Sequence, residues 1–217
     1  MAVLEGGSSA EIAEVGVAAA VPLHVTTKPL PYGTLGHYSL SMVSGTVAAA
    51  MAANSDIFQF RWTDATRLCV VYEVMLEGMY QLTGFTAGAG LFRMGFARSF
   101  TAAGTGGTAA TLTGDNNALR TSMGTPLLGE ARCASTAALG AGTKTYDSQD
   151  LGSYPIMILG AANTQVFSQV VLFSREPGTE HPLVLAQNEG FGIRGTVPAT
   201  GTWVFSVRVK WAEVTLY

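Results

Sequence analysis

The last strand-like stretch of this chain restricts its choice of fold more than any other feature. In Trp203-Val204-Phe205-Ser206-Val207-Arg208-Val209-Lys210-Trp211 the odd positions are large and apolar, while the even ones include Ser206, Arg208 and Lys210. Period-two alternation of this length points one face into a core and the other toward water, as a half-buried β-strand does. Weaker versions recur upstream. Residues 38–43 (YSLSMV) alternate loosely, and 57–62 (IFQFRW) are short, aromatic and β-prone. Residues 68–82 are rich in β-branched and aromatic side chains, with both faces apolar in the first half, which suits a central sandwich strand. Residues 91–100 are a further candidate, broken by Gly95, which marks a bulge or a close backbone approach.

Residues 101–150 change character. They are dominated by Gly, Thr and Ala, carry the turn signal Gly114-Asp115-Asn116-Asn117, and read as long loops with one or two short strands, one at 130–135. Strands are expected again at 153–159, 166–174 and 183–185, with a turn at 175–180. Strands divided by Gly, Pro and Asn turns, with almost no helical periodicity and no internal repeat, predict an all-β antiparallel β-sandwich or jelly roll.

That domain is expected at 37–217, behind an extended N-terminal arm at 1–36. Ser8-Ser9-Ala10-Glu11 fits a capping box for a short helix over 9–15, although Gly16 weakens it. Pro22, Pro29 and Pro31 impose extended geometry on the residues before them. Such a segment buries little by itself. Leu4, Ile12, Val15, Val17, Val21 and Leu23 are its candidates for docking on a partner.

Charge is scarce. Asp, Glu, Lys and Arg make up 12% of the 217 residues, with a net charge of −3, whereas Ala, Gly, Thr and Ser fill 94 positions. Soluble domains carry about 25% charged residues, and interface cores are depleted in them. The composition therefore fits a surface largely covered by partners, or one kept polar by Thr and Ser. Without a basic excess there is no footprint for nucleic acid. Residues 15–21 fall far short of the ~20 apolar residues that cross a bilayer, and the opening MAVLEGGSSAEIAEV lacks the basic start of a secretory signal. Cys69 and Cys133 sit among apolar or small neighbours and read as reduced, buried thiols, with a disulfide left open.

A search for chemistry returns little. There is no G-x-S-x-G elbow, and Gly140-Ala141-Gly142-Thr143-Lys144-Thr145 lacks the order of a phosphate loop. His24, His37 and His181 form no metal-ligand pair. The carboxylates Asp64, Glu73, Glu77, Asp115, Glu130 and Asp150 are dispersed; Glu73, inside an apolar strand, is expected to pair with an arginine such as Arg93 or Arg98. Trp62, Trp203 and Trp211 form either core or a sugar-stacking platform, core being favoured. No enzyme activity, cofactor or metal is expected. Trp203, Phe205, Val207, Val209 and Trp211 are expected to hold the fold.

Three stretches resemble virion proteins encoded among the head genes of tailed phages: 44–68 (SGTVAAAMAANSDIFQFRWTDATRL), 97–123 (ARSFTAAGTGGTAATLTGDNNALRTSM) and 181–214 (HPLVLAQNEGFGIRGTVPATGTWVFSVRVKWAEV). ARSFTAA, LRTSM, NEGFGIR and VKWAEV are the most specific pieces, and residues 1–36 lie outside the likeness. A small all-β chain in that setting resembles the capsid decoration, or cement, proteins. The resemblance implies a protein that binds the outside of an HK97-type head as a dimer or trimer and bridges copies of the major capsid protein. No nucleic acid or membrane is then a partner. The arm and the 101–125 loops would supply contact surface. The alternatives are a tail or collar adaptor or fibre-associated module, and a carbohydrate-binding jelly roll using exposed aromatics such as Tyr80 or Trp62.

Overall fold

The computed structural model describes residues 36–48, 51–114, 117–120, 122–127, 129–175, 181–215 and 217 in full, and 2–6 and 11–15 by their backbone. The chain divides into two units, Met1–Leu30 and Pro31–Tyr217. In the first, β1 (Ala2–Gly6) pairs antiparallel with β2 (Glu11–Val15), Leu4 opposite Ala13 and Glu5 opposite Ile12. The helix expected over 9–15 is thus replaced from Glu11 onward by a strand. Branched Ile12 and Val15 favour extended backbone, and pairing gives the polar backbone groups partners that a short uncovered helix would hold only marginally. Leu4, Ile12 and Val15 lie on this hairpin; Val17, Val21, Leu23 and His24 lie outside the described residues.

Among its described residues the second unit has fourteen strands: β3 (Gly36–Val43), β4 (Val47–Ala48), β5 (Ser55–Trp62), β6 (Leu68–Thr83), β7 (Gly88–Ala102), β8 (Thr108–Ala109), β9 (Glu130–Cys133), β10 (Thr143–Tyr146), β11 (Gly152–Ile158), β12 (Thr164–Phe167), β13 (Val170–Ser174), β14 (Leu183–Leu185), β15 (Glu189–Thr196) and β16 (Thr202–Val214). In one sheet β16 lies between β3 and β6, with β4 also on β16 and the short β12, β13 and β14 set in line along the far side of β6. In the other the order is β10, β7, β15, β5, β9, β8, with β11 beside β10 along β7. The chain moves between sheets at β4–β5, β5–β6, β6–β7, β11–β12, β14–β15 and β15–β16. This is the strand order of a jelly roll, and every pairing is antiparallel.

The inner faces meet through rings. Odd positions 203–211 of β16 are all buried, alternating with half-buried even ones. Trp211 stacks on Tyr38 at 5.3 Å and meets the edge of Phe60 on the opposite sheet at 5.5 Å. Phe60 stacks on Phe191 at 4.9 Å, and Phe92 packs against Trp203 at 6.0 Å. Trp62 is fully buried too, its Nε1 donating to Arg67 O at 2.9 Å. All three tryptophans are therefore core, and Trp62 is not an exposed sugar platform.

Three local expectations change. Gly95 does not break β7, whose register with β15 runs without a shift from Gly190↔Ala97 to Thr196↔Leu91; of the two alternatives it marks a close approach, that of the Tyr146 ring, and not a bulge. The single strand expected at 166–174 is two, β12 and β13, because its pairing with β6 shifts register within each half. The loop region contributes a strap to the first sheet. Ser39 N–H donates to Asn117 O at 3.0 Å, Leu119 N–H to His37 O at 2.8 Å, and Tyr38 OH to Gly124 O at 2.8 Å. Asn117, Leu119 and Gly124 thereby cover the His37–Ser39 part of the outer edge of β3, which would otherwise present unpaired backbone. Among the described residues no helix is long and apolar enough to cross a membrane.

Candidate functional site

Two glycines create the most organised polar feature of the surface. Gly95 and Gly192 face each other across β7 and β15. A Cβ at Gly192 would stand 1.9 Å from the Tyr146 hydroxyl, and one at Gly95 would stand 3.0 Å from Tyr146 Cδ1. The missing side chains leave a channel across the sheet. Tyr146, from β10, lies in it and donates to Asp56 Oδ1 on β5 at 2.8 Å. Burial, then the neighbouring Asp56 charge, push the Tyr146 phenol far above its ordinary value. Gln59 Nε2 donates to Asp56 Oδ2 at 2.9 Å, and Lys144 Nζ stands 2.5 Å from the same oxygen.

The segment that carries Lys144 and Tyr146 continues the clasp. Arg93 and Arg194 stand directly opposite each other on β7 and β15, a repulsive arrangement by itself. Asp150 lies between them, contacting Arg194 and standing 3.5 Å from Arg93 Nη1. Asp147 pairs with Arg98 at 3.1 Å. Residues 144–150 are thus tied across the outer face by ion pairs, beside a cavity of about 380 Å³ lined by Asn54, Ser55, Leu139 and Ala141 with the charged groups.

The other sheet carries a different lattice. Arg208 on β16 bridges Glu73 and Glu77 on β6, each at 3.0 Å, and Lys210 reaches Glu73 at 3.1 Å. Ser41 donates to Glu77 at 2.6 Å. Glu73 is therefore not paired with Arg93 or Arg98. Those arginines stand on β7, in the opposite sheet, whereas β16 is the direct neighbour of β6.

Apolar side chains reach solvent along the edge strand β11. Met157 and Leu159 are each 66% exposed, and Leu151 is exposed at the other end. Strand alternation places Ser153, Pro155 and Met157 on one face, with the exposed Leu151 and Leu159 just beyond the two ends of the strand. Pro155 and Met157 there adjoin Leu91 and Ala89 of β7. Proline blunts the edge itself against strand addition, so the face is the available surface. A cluster of this kind is what a protein interface presents. On the other sheet Tyr80, Val43 and Val171 are exposed.

No family model matches the chain, and no curated protein matches it.

The other candidates have structural surroundings. Asp64 Oδ1 accepts from the Thr66 and Arg67 N–H groups at 2.8 Å, forming a turn. Glu130 pairs with Arg132 at 2.6 Å. The His37 ring packs on Tyr72, and His181 Nδ1 lies 2.6 Å from Pro182 O. Cys69 and Cys133 are buried and free, and burial raises both thiols, Cys133 to about 12. Asp115 lies outside the described residues, and the contact surface expected at 101–125 is described only in part. Among the described residues no three His, Cys, Asp or Glu side chains converge as a metal site.

Glu213 was not among the candidates. Its side chain is fully enclosed at the end of β16, accepting from Leu127 N–H at 2.8 Å with Arg67 Nη1 at 3.7 Å. Burial raises its carboxyl above 4.5 against the opposing pull of Leu127 and Arg67. The folded state then binds a proton more readily than the unfolded state, so ionisation of Glu213 weakens the fold as pH rises through its folded-state value. Acidification recovers this loss, and the recovery is complete below the unfolded value. Urea unfolding of the wild type and Glu213→Gln at about pH 7 and about pH 5 checks this. The wild type should gain stability relative to the variant at the lower pH; parallel profiles would remove the assignment.

Proposed function

We propose that this chain is a structural protein of a tailed-phage virion: a capsid decoration, or cement, protein that binds the outer surface of the head and bridges neighbouring coat subunits. The observation that carries this reading is the cluster of exposed apolar side chains along the edge strand β11, Pro155 and Met157 on its outer face and Leu151 and Leu159 at its two ends. A chain with 12% charged residues surrounds that cluster with little to repel a protein partner. The likeness of 44–68, 97–123 and 181–214 to phage virion proteins supports the setting. In this reading the major capsid protein is the partner, a dimer or trimer is the working form, and the product is made in the host bacterial cytoplasm. Many linked copies on one shell make modest contacts effectively permanent.

Quantitative mass spectrometry of gradient-purified virions tests it through the copy number of this chain relative to the coat protein. A ratio near one, or a simple fraction of it, is the expected result. A few per cent would transfer the protein to a tail or collar position. Absence from the particle would overturn the virion reading and bring forward a glycan-binding jelly roll, with half-exposed Tyr80, beside Gly78, as the aromatic to replace on a glycan array.

A further inference from the structure

Lys144 and Asp56 are placed for more than an ion pair. Nζ stands 2.5 Å from Oδ2, with the two side chains only 4% and 9% exposed. Phe100 and Tyr146 present ring faces to Nζ at 5.2 and 5.4 Å, in place of water. Both carboxyl oxygens already accept hydrogen bonds, Oδ1 from Tyr146 OH and Oδ2 from Gln59 Nε2. Nζ also contacts Ala141 O, so the amine is held from two sides. Hydration keeps an ammonium and a carboxylate ionic in water, and enclosure withdraws it. A fixed amine beside a fixed carboxyl also reacts at an effective concentration far above any reached in solution.

We propose that Lys144 and Asp56 condense spontaneously into an isopeptide bond, joining Nζ to Cγ and tying β10 covalently to β5 across the outer face of the sheet. A proton passes from the Nζ ammonium to the carboxylate, leaving a neutral amine and a neutral acid. The proton lands on Oδ2, the oxygen nearest Nζ, and the Nζ lone pair attacks Cγ to form the N–C bond, while the negative charge developing on Oδ1 is held by the Tyr146 hydroxyl and Gln59 stays on the departing Oδ2. A second Nζ proton then moves to the departing hydroxyl, the Cγ–O bond breaks, and one water leaves through the adjoining cavity. Ammonium plus carboxylate becomes amide plus water, so no oxidant, reductant or co-reactant enters. Tyr146 is a catalytic residue of this step because it touches a reacting oxygen, and the Gly95–Gly192 channel is what lets it do so. The bond turns the clasp over the sheet into a covalent tie, and it stands whether or not the protein belongs to a virion.

The experiment is the intact mass of the purified full-length chain under denaturing conditions, with Lys144→Arg prepared identically. The wild type is expected to be lighter than its sequence by one water and Lys144→Arg to have its full sequence mass. A tryptic digest should contain a branched peptide joining the Asp56 and Lys144 segments. Tyr146→Phe should complete the loss of water on the order of 10²-fold more slowly after refolding, since it removes one oxyanion donor. Full sequence mass in folded wild type after prolonged incubation would overturn the proposal and leave a buried ion pair. A dehydrated chain linked through other residues would overturn it equally. If Lys144→Arg does not fold, the wild-type mass and the branched peptide still decide.

Discussion

Trp211→Ala is expected to cost about 3–5 kcal/mol of folding free energy, in the range of large aromatic truncations in a packed core. Trp211 is fully buried, stacks on Tyr38 in its own sheet, and meets the edge of Phe60 from the facing one. Its loss removes apolar burial and a contact that spans the sandwich, and strands on both sides prevent the void from collapsing. Against a total of about 5–15 kcal/mol, this is about a fifth or more of the stability of a typical domain. Urea unfolding should show a midpoint lowered by roughly 1–3 M with little change in slope. Met157→Ser, at a position 66% exposed, is the matched control and should leave the midpoint in place. Equal midpoints for Trp211→Ala and wild type would mean that this ring does not hold the sheets together.

Removing residues 1–30 is expected to abolish attachment to phage heads while leaving 31–217 folded, if the protein acts as proposed. Every strand of both large sheets belongs to Pro31–Tyr217, and β1 pairs only with β2 among the described residues. The deletion therefore removes no strand from the sandwich. A lone two-stranded hairpin is marginal in water and needs a covering surface. Residues 1–27 contain Glu5, Glu11 and Glu14 and no Lys or Arg, so that surface should be neutral or basic. Co-sedimentation of full-length and shortened protein with purified undecorated heads, with urea unfolding as a folding control, gives the result. Undiminished binding by the shortened chain would remove the arm from the interface and leave the β11 face to account for it.

What was legible and what was not divides along the range of the interactions. The strands at 38–43 and 203–211 could be read because alternation is local, each residue reporting its side of the sheet through its own hydropathy; those at 57–62 and 68–82 could be read because β-branched and aromatic side chains favour extended backbone wherever they cluster. The helix expected at 9–15 failed because a capping pattern records only what one segment prefers alone, and β1 offered β2 a full set of backbone partners. Glu73 could be recognised as an anomaly in an apolar strand, but its partner could not be named. Arg93, Arg98, Arg208 and Lys210 are equivalent until it is known which strand lies beside β6. Lys144 was visible only as part of a failed phosphate-loop match. Its contact with Asp56 depends on the curl of a whole sheet and on two glycines at 95 and 192 meeting in register.

Local patterning was enough to establish an antiparallel all-β protein whose terminal strand is half core, whose cysteines are buried and whose surface is poor in charge. These properties follow from patterns over a few residues, where hydrophobic burial acts on each side chain separately. The jelly-roll strand order, the covering of the β3 edge by Asn117, Leu119 and Gly124, the partners of Glu73 and the meeting of Lys144 with Asp56 came from packing alone. Those depend on register and on which strands become neighbours. A shift of one residue in a ladder would turn the same side chains to the opposite face, and only the packing of both sheets around one set of aromatic rings selects the register.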